Sequence, residues 1–154
     1  MDCGSYFQTV SQVYESWEII KRIPKYEEIV GMALFDRMFQ IAPEDWSLFP
    51  WTREDFKQKN PKFLAFAAKF VRMLDLAVHM LGPDMEVVEE QMYDLGRSHK
   101  NYGVLPRHFD LMGQSLLYTL QGLLGSKFTP NTQKAWKNVY GFWSSTMIQG
   151  AVGL

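Results

Sequence analysis

Four of the seven prolines, Pro24, Pro61, Pro106 and Pro130, stand where a helix would begin. Proline presets the helical φ and lacks an N–H, so the first helical position accepts it while the interior of a helix does not. Asn60 before Pro61 and Thr129 before Pro130 add side chains that cap free backbone N–H groups. Between these marks no stretch alternates apolar and polar residues over the length of a strand. The chain therefore reads as all-α.

The spacing predicts a first helix over roughly Thr9 to Ile23, with residues 1–8 as a flexible extension, and a second helix from Pro24 to about Gln40. Ala42-Pro43-Glu44-Asp45 starts a short helical turn, and Leu48-Phe49-Pro50-Trp51 is too aromatic for an idle linker. A third helix, of about 20 residues, fits between Asn60-Pro61 and the stop at Gly82-Pro83. Its apolar face is Phe63, Phe66, Phe70, Leu74, Val78 and Leu81, and Arg72, Asp75 and His79 fall on its wet side.

A fourth helix runs from near Asp84 to around Gly103, with Glu86, Glu89 and Glu90 early and Arg97 and Lys100 late, as the helix dipole favours. Leu105-Pro106 opens a fifth, carrying Phe109, Met112, Leu116, Leu120 and Leu123 and ending at Gly125. The last follows Thr129-Pro130, with Trp136, Val139, Tyr140, Trp143 and Met147 at helical spacing, and ends near Gly150.

At 154 residues, 47% of them hydrophobic, the chain reads as one domain over 1–154 with enough apolar surface for a sizeable core. Lys plus Arg number 16 against 17 Asp plus Glu, and a net charge of -1 argues against a nucleic-acid partner. No run of about 20 apolar residues is present to span a membrane. The single cysteine, Cys3, forms no internal disulfide, and the first residues lack the layout of a secretory signal, so a reducing, cytoplasmic location is expected.

No phosphate loop, HExxH, CxxC or nucleophile motif occurs, so any chemistry is expected from a cofactor. Of three histidines, His79 and His108 read as surface residues. His99 instead continues the apolar stripe Val88, Met92, Leu95 by one helical step. That placement suits a metal ligand. It also suits a histidine answering its helix dipole or a buried carbonyl, and spacing alone does not separate these.

Leu95-Gly96-Arg97-Ser98-His99, Gly103-Val104, Phe109, Ser115-Leu116-Leu117-Tyr118, Leu123-Leu124-Gly125, Phe128-Thr129-Pro130, Trp136 and Tyr140-Gly141 resemble the globin family, and within it the neuroglobins. Ser16-Trp17, Gly31, Leu34-Phe35-Asp36-Arg37-Met38-Phe39, Pro43, Leu48-Phe49, Phe63-Leu64, Lys69 and Asp75 extend the resemblance through the first half. It implies a globin fold of about eight helices around a pocket for haem, iron protoporphyrin IX. By the same resemblance His99 is the proximal iron ligand, with the Leu95 carbonyl orienting its ring. Phe49 and Trp51 match positions against the haem, Val104, Phe109, Met112 and Tyr140 match further pocket positions, and Lys69 matches a cation reaching a propionate. A simply solvated lysine fits position 69 equally well.

Two departures stand out. Ser98 occupies a position that is typically lysine in neuroglobins, where its hydroxyl either bonds the imidazole or faces water. Phe66 falls at the distal position, where neuroglobins carry a histidine, and Phe35 and Phe70 fall beside it. The implied protein binds O2, CO or NO reversibly at an open, apolar distal site, as in oxygen storage or transport. The alternatives are a gas or redox sensor with a signalling partner, and a haem enzyme for NO or nitrite chemistry served by an external reductase. A helical interaction module without haem is a further class.

Overall fold

The computed structural model describes residues 3–44, 60–82, 85–100 and 105–152, and Phe49, Trp51 and Val104 lie outside them. Six α-helices and one 3-10 turn make up the described elements: α1 (Cys3–Lys21), α2 (Tyr26–Ile41), α3 (Pro61–His79), α4 (Met85–Lys100), α5 (Pro106–Leu124), the turn Gly125–Lys127, and α6 (Pro130–Val152). No strand occurs among the described residues.

Two helix starts follow the capping chemistry, whereas α2 begins at Tyr26, two residues beyond Pro24, behind a left-handed Lys25 (φ 58°) with no side-chain cap. Asn60 Oδ1 accepts the Lys62 N–H at 2.9 Å, and Thr129 Oγ1 accepts the Thr132 N–H at 3.2 Å. Gly125, at a φ of 56°, closes α5 in a conformation that disfavours a side chain. The N-terminus differs from expectation: residues 3–8 form the opening turns of α1 rather than an extension. Tyr6 anchors them, its hydroxyl donating to the Gly82 carbonyl at 2.7 Å, a long-range contact that sequence spacing does not encode.

Two close helix crossings shape the molecule. At Gly31 of α2 a Cβ would lie 2.7 Å from the Ala67 carbonyl oxygen of α3, so both helices need small residues there. Between α4 and α6 the approach is closer still: a Cβ on Gly96 would collide with the Met147 carbonyl, and one on Gly150 with the Tyr93 carbonyl. The buried face of α3 is rotated from the predicted one and includes Ala67, the residue against Gly31. Phe63, Ala67, Ala68, Val71, Ala77 and Val78 are buried, whereas Phe66, Phe70 and Leu74 are half-buried at its flank.

The main core gathers Val13, Trp17, Ile20, Leu34, Val71, Leu116, Leu120 and Trp136 from α1, α2, α3, α5 and α6. Polar bonds tie it together. The Trp136 indole N–H donates to Ser16 Oγ at 2.8 Å, and the Trp17 indole donates to Asp75 Oδ1 at 2.8 Å. A second, smaller core of Phe35, Met38, Phe39, Phe63 and Ala67 joins α2 to α3, and Phe70 and Met112 pack against both cores. Among the described residues, no helix is long and apolar enough to cross a membrane.

Candidate functional site

Helices α3 and α4 follow one another in sequence yet are not among the closely packed pairs, since α3 lies mainly on α2 and α4 on α6. Consecutive helices that pack on different partners are a common setting for a ligand site between helices.

His99 sits in the last turn of α4, half-buried, with Nδ1 2.7 Å from the Leu95 carbonyl oxygen on the preceding turn. At that distance Nδ1 carries the hydrogen and donates it, so the neutral ring keeps its lone pair on Nε2. A lone pair aimed by a backbone carbonyl is the arrangement a metal-ligating imidazole requires. Phe109 of α5 lies beside the ring, with centroids 6.0 Å apart and planes inclined by 42°. Among the described residues no three His, Cys, Asp or Glu side chains gather. The donor set at hand, one oriented imidazole, therefore suits an iron whose remaining in-plane ligands arrive with a macrocycle.

The predicted distal residues also come together. Phe35 is buried, with ring centroids 5.5 Å from Phe66 and 5.4 Å from Phe70, and Phe63 and Phe39 complete the group at 5.9 and 6.2 Å. Met112 reaches this cluster from α5. Lys69, between Phe66 and Phe70 in sequence, is exposed on the flank of α3. Tyr140 lies on α6 with its hydroxyl donating to the Phe109 carbonyl, and burial, with a smaller contribution from Asp110, pushes its phenol well above the ordinary range.

Two histidine and serine expectations change. Ser98 is exposed and donates to the Asp94 carbonyl at 3.4 Å rather than to the imidazole, because one residue's step around α4 turns it away from the apolar stripe. His108 is buried at 6% exposure, not at the surface. Its Nδ1 accepts the Leu105 N–H at 2.7 Å and so caps α5, a role open because leucine offers no capping oxygen. The signal was present in sequence: a side chain at the third helical position reaching back to the cap residue. His79 is where it was expected, on the wet side of α3, with Nδ1 3.3 Å from the Asp75 carboxylate and its ring edge-on to Tyr14.

Asp75 gathers more than its sequence position suggested. Trp17, Lys21 at 3.1 Å and His79 converge on its carboxylate. Partial burial alone would raise its pKa, but the Trp17 and Lys21 hydrogen bonds and the charges of Lys21 and His79 outweigh it and hold the carboxyl below its ordinary range.

An all-helical chain with a half-buried imidazole held by its own helix, and a separate phenylalanine cluster between α2 and α3, is a candidate cofactor-binding helical protein. The family model described as Globin matches residues 32–147. Similar sequences include the neuroglobin of Tetraodon nigroviridis, 36% identical over 124 residues that span 78% of this chain and 77% of that protein. The neuroglobin of Danio rerio is 33% identical over 144 residues, spanning 90% of this chain and 87% of its own. The chain belongs to the globin family, whose fold holds a haem. A solved structure, a hexacoordinated haem protein from an anhydrobiotic tardigrade at pH 4, shares the fold at a TM-score of 0.81 and 20% identity, over 99% of this chain and 96% of that one.

Proposed function

We propose that this globin binds iron protoporphyrin IX between α3 and α4, with His99 Nε2 as the protein ligand, and takes up small gases at an open, apolar distal side. The observation that carries the reading is the grouping of Phe66 and Phe70 around Phe35 on the face where the family resemblance puts the distal residue. Of the other two imidazoles, His108 is buried as the cap of α5, and His79 lies exposed on the wet side of α3 with Nδ1 2.8 Å from the Asp75 carbonyl oxygen.

The haem supplies the iron at which a diatomic gas binds, and the chain does the rest. The Leu95 carbonyl accepts the Nδ1 hydrogen and makes Nε2 a richer donor. The three phenylalanine rings exclude water but offer no hydrogen-bond donor. A gas that becomes anionic on binding, as O2 does, forfeits a stabilisation of about 1.5–3 kcal/mol, while CO loses less. By the family resemblance Lys69, which is exposed on α3, would reach a propionate, and Phe49, Trp51 and Val104 would join the lining. A single cysteine suits the reducing cytoplasm.

The test is the visible spectrum of the reduced, ligand-free protein, followed by its O2 and CO affinities. One broad band in the green is expected, with O2 held less firmly than in a globin that has a distal hydrogen-bond donor. Two sharp bands reveal an internal sixth ligand and overturn the open site.

A further inference from the structure

We propose that Tyr140 is a positioning residue for the His99 imidazole, acting through Phe109; the inference rests on the reading of His99 as the haem ligand. Phe109 lies in the first turns of α5. A helical carbonyl spends one lone pair on the N–H four residues further on, here that of Gly113, and keeps a second. The Tyr140 hydroxyl takes that second lone pair from α6. Its approach depends on Gly113, where a Cβ would stand 2.6 Å from Tyr140 Cε1 and 2.9 Å from Cδ1. Glycine and tyrosine therefore form a fitted pair across two helices.

What this pair holds is the residue beside the imidazole. Leu95 fixes which nitrogen of His99 turns outward, because its carbonyl belongs to the same helix. Rotation of the ring is limited both by that bond and by what stands next to it, and Phe109, buried at 6% exposure with its centroid 6.0 Å away, stands there. Phe109 reaches across from α5, a helix that is not closely packed on α4. Its backbone is secured from two directions. His108 pins the start of α5 by accepting the Leu105 N–H, and Tyr140 pins the Phe109 carbonyl. Loss of the hydroxyl frees that carbonyl without emptying the space the tyrosine ring fills.

The experiment compares haem-loaded wild type, Tyr140→Phe, Phe109→Leu and the double variant by resonance Raman spectroscopy of the reduced, ligand-free state. Tyr140→Phe is expected to broaden and shift the iron–histidine stretching band, Phe109→Leu to shift it in the same direction, and the double variant to add nothing to Phe109→Leu. Haem transfer from Tyr140→Phe to an excess of apoprotein acceptor is expected to be about tenfold faster, as for other outer partners of a metal ligand. The haem-free variant is expected to melt close to the haem-free wild type. An unchanged band in Tyr140→Phe, or additive shifts in the double variant, overturns the positioning role while leaving the haem reading intact. A wild type without a Soret band overturns both.

Discussion

The Nδ1 of His99 and the carbonyl oxygen of Leu95 lie 2.7 Å apart on successive turns of α4, so the helix that carries the imidazole also orients it. An imidazole aimed by its own backbone is poised to bind before any ligand arrives, which lowers the ordering cost of coordination. Replacement of His99 by glycine is expected to abolish the Soret band while leaving helical circular dichroism unchanged, since the ring is only half-buried. Free imidazole added to that variant is expected to restore haem retention. Retention without added imidazole would remove His99 from the role of ligand.

Phe66 on α3 faces Phe35 across the α2–α3 contact and is itself half-buried, so an imidazole at this position fits without opening the core. Phe66→His is expected to convert the broad band of the reduced protein into two sharp ones. By competing for the sixth iron position, it is expected to slow CO association by about tenfold or more, corresponding to about 1.4 kcal/mol of internal competition. Stopped-flow mixing with CO measures this directly.

Asp75 links α3 to α1 through Trp17 and Lys21, and its carboxyl is held below its ordinary value of 3.8. A carboxylate depressed in the fold binds fewer protons than in the unfolded chain. Its stabilisation is therefore complete above the unfolded value and is lost as pH falls through the lower folded one. Urea midpoints are expected to fall as pH drops below about 4. Asp75→Asn is expected to flatten that acid limb and to cost about 1 kcal/mol at neutral pH, a figure reduced by partial exposure.

The α4–α6 crossing leaves no space for a methyl group. Gly96→Ala is expected to force the two helices apart, at a cost of about 3 kcal/mol, and to speed haem loss because His99 lies one turn further along α4. Gly122, on the exposed side of α5 with open space where a methyl group would stand, is the matched control. Gly122→Ala is expected to raise the melting temperature, by relief of about 0.5–1 kcal/mol of backbone entropy. Thermal unfolding of both variants checks the pair.

Helix type and helix starts were legible because proline, asparagine, threonine and glycine act locally, each satisfying or removing a backbone group within its own turn. The last turn of α4 was legible for the same reason, since Leu95 and His99 lie four residues apart on one helix. The burial of His108 was not. Its sequence neighbours, Arg107 and Asp110, are charged, and only the capping bond to Leu105 and the packing of α5 take it inside. The extra turns of α1 were equally hidden, because Tyr6 finds its partner at Gly82, far along the chain.

Local spacing by itself determined that this chain is helical, where most of its helices begin, and that His99 lies on an apolar face. Which rings gather around Phe35, which helix bears on His99, how deeply His108 is buried, and where Asp75 finds Trp17 and Lys21 were decided only by the tertiary structure. The reason is physical: caps and stripes are set within a few residues, whereas these contacts depend on how closely helices approach. That approach is governed by glycines, at positions 31, 96, 113 and 150, whose partners lie on other helices.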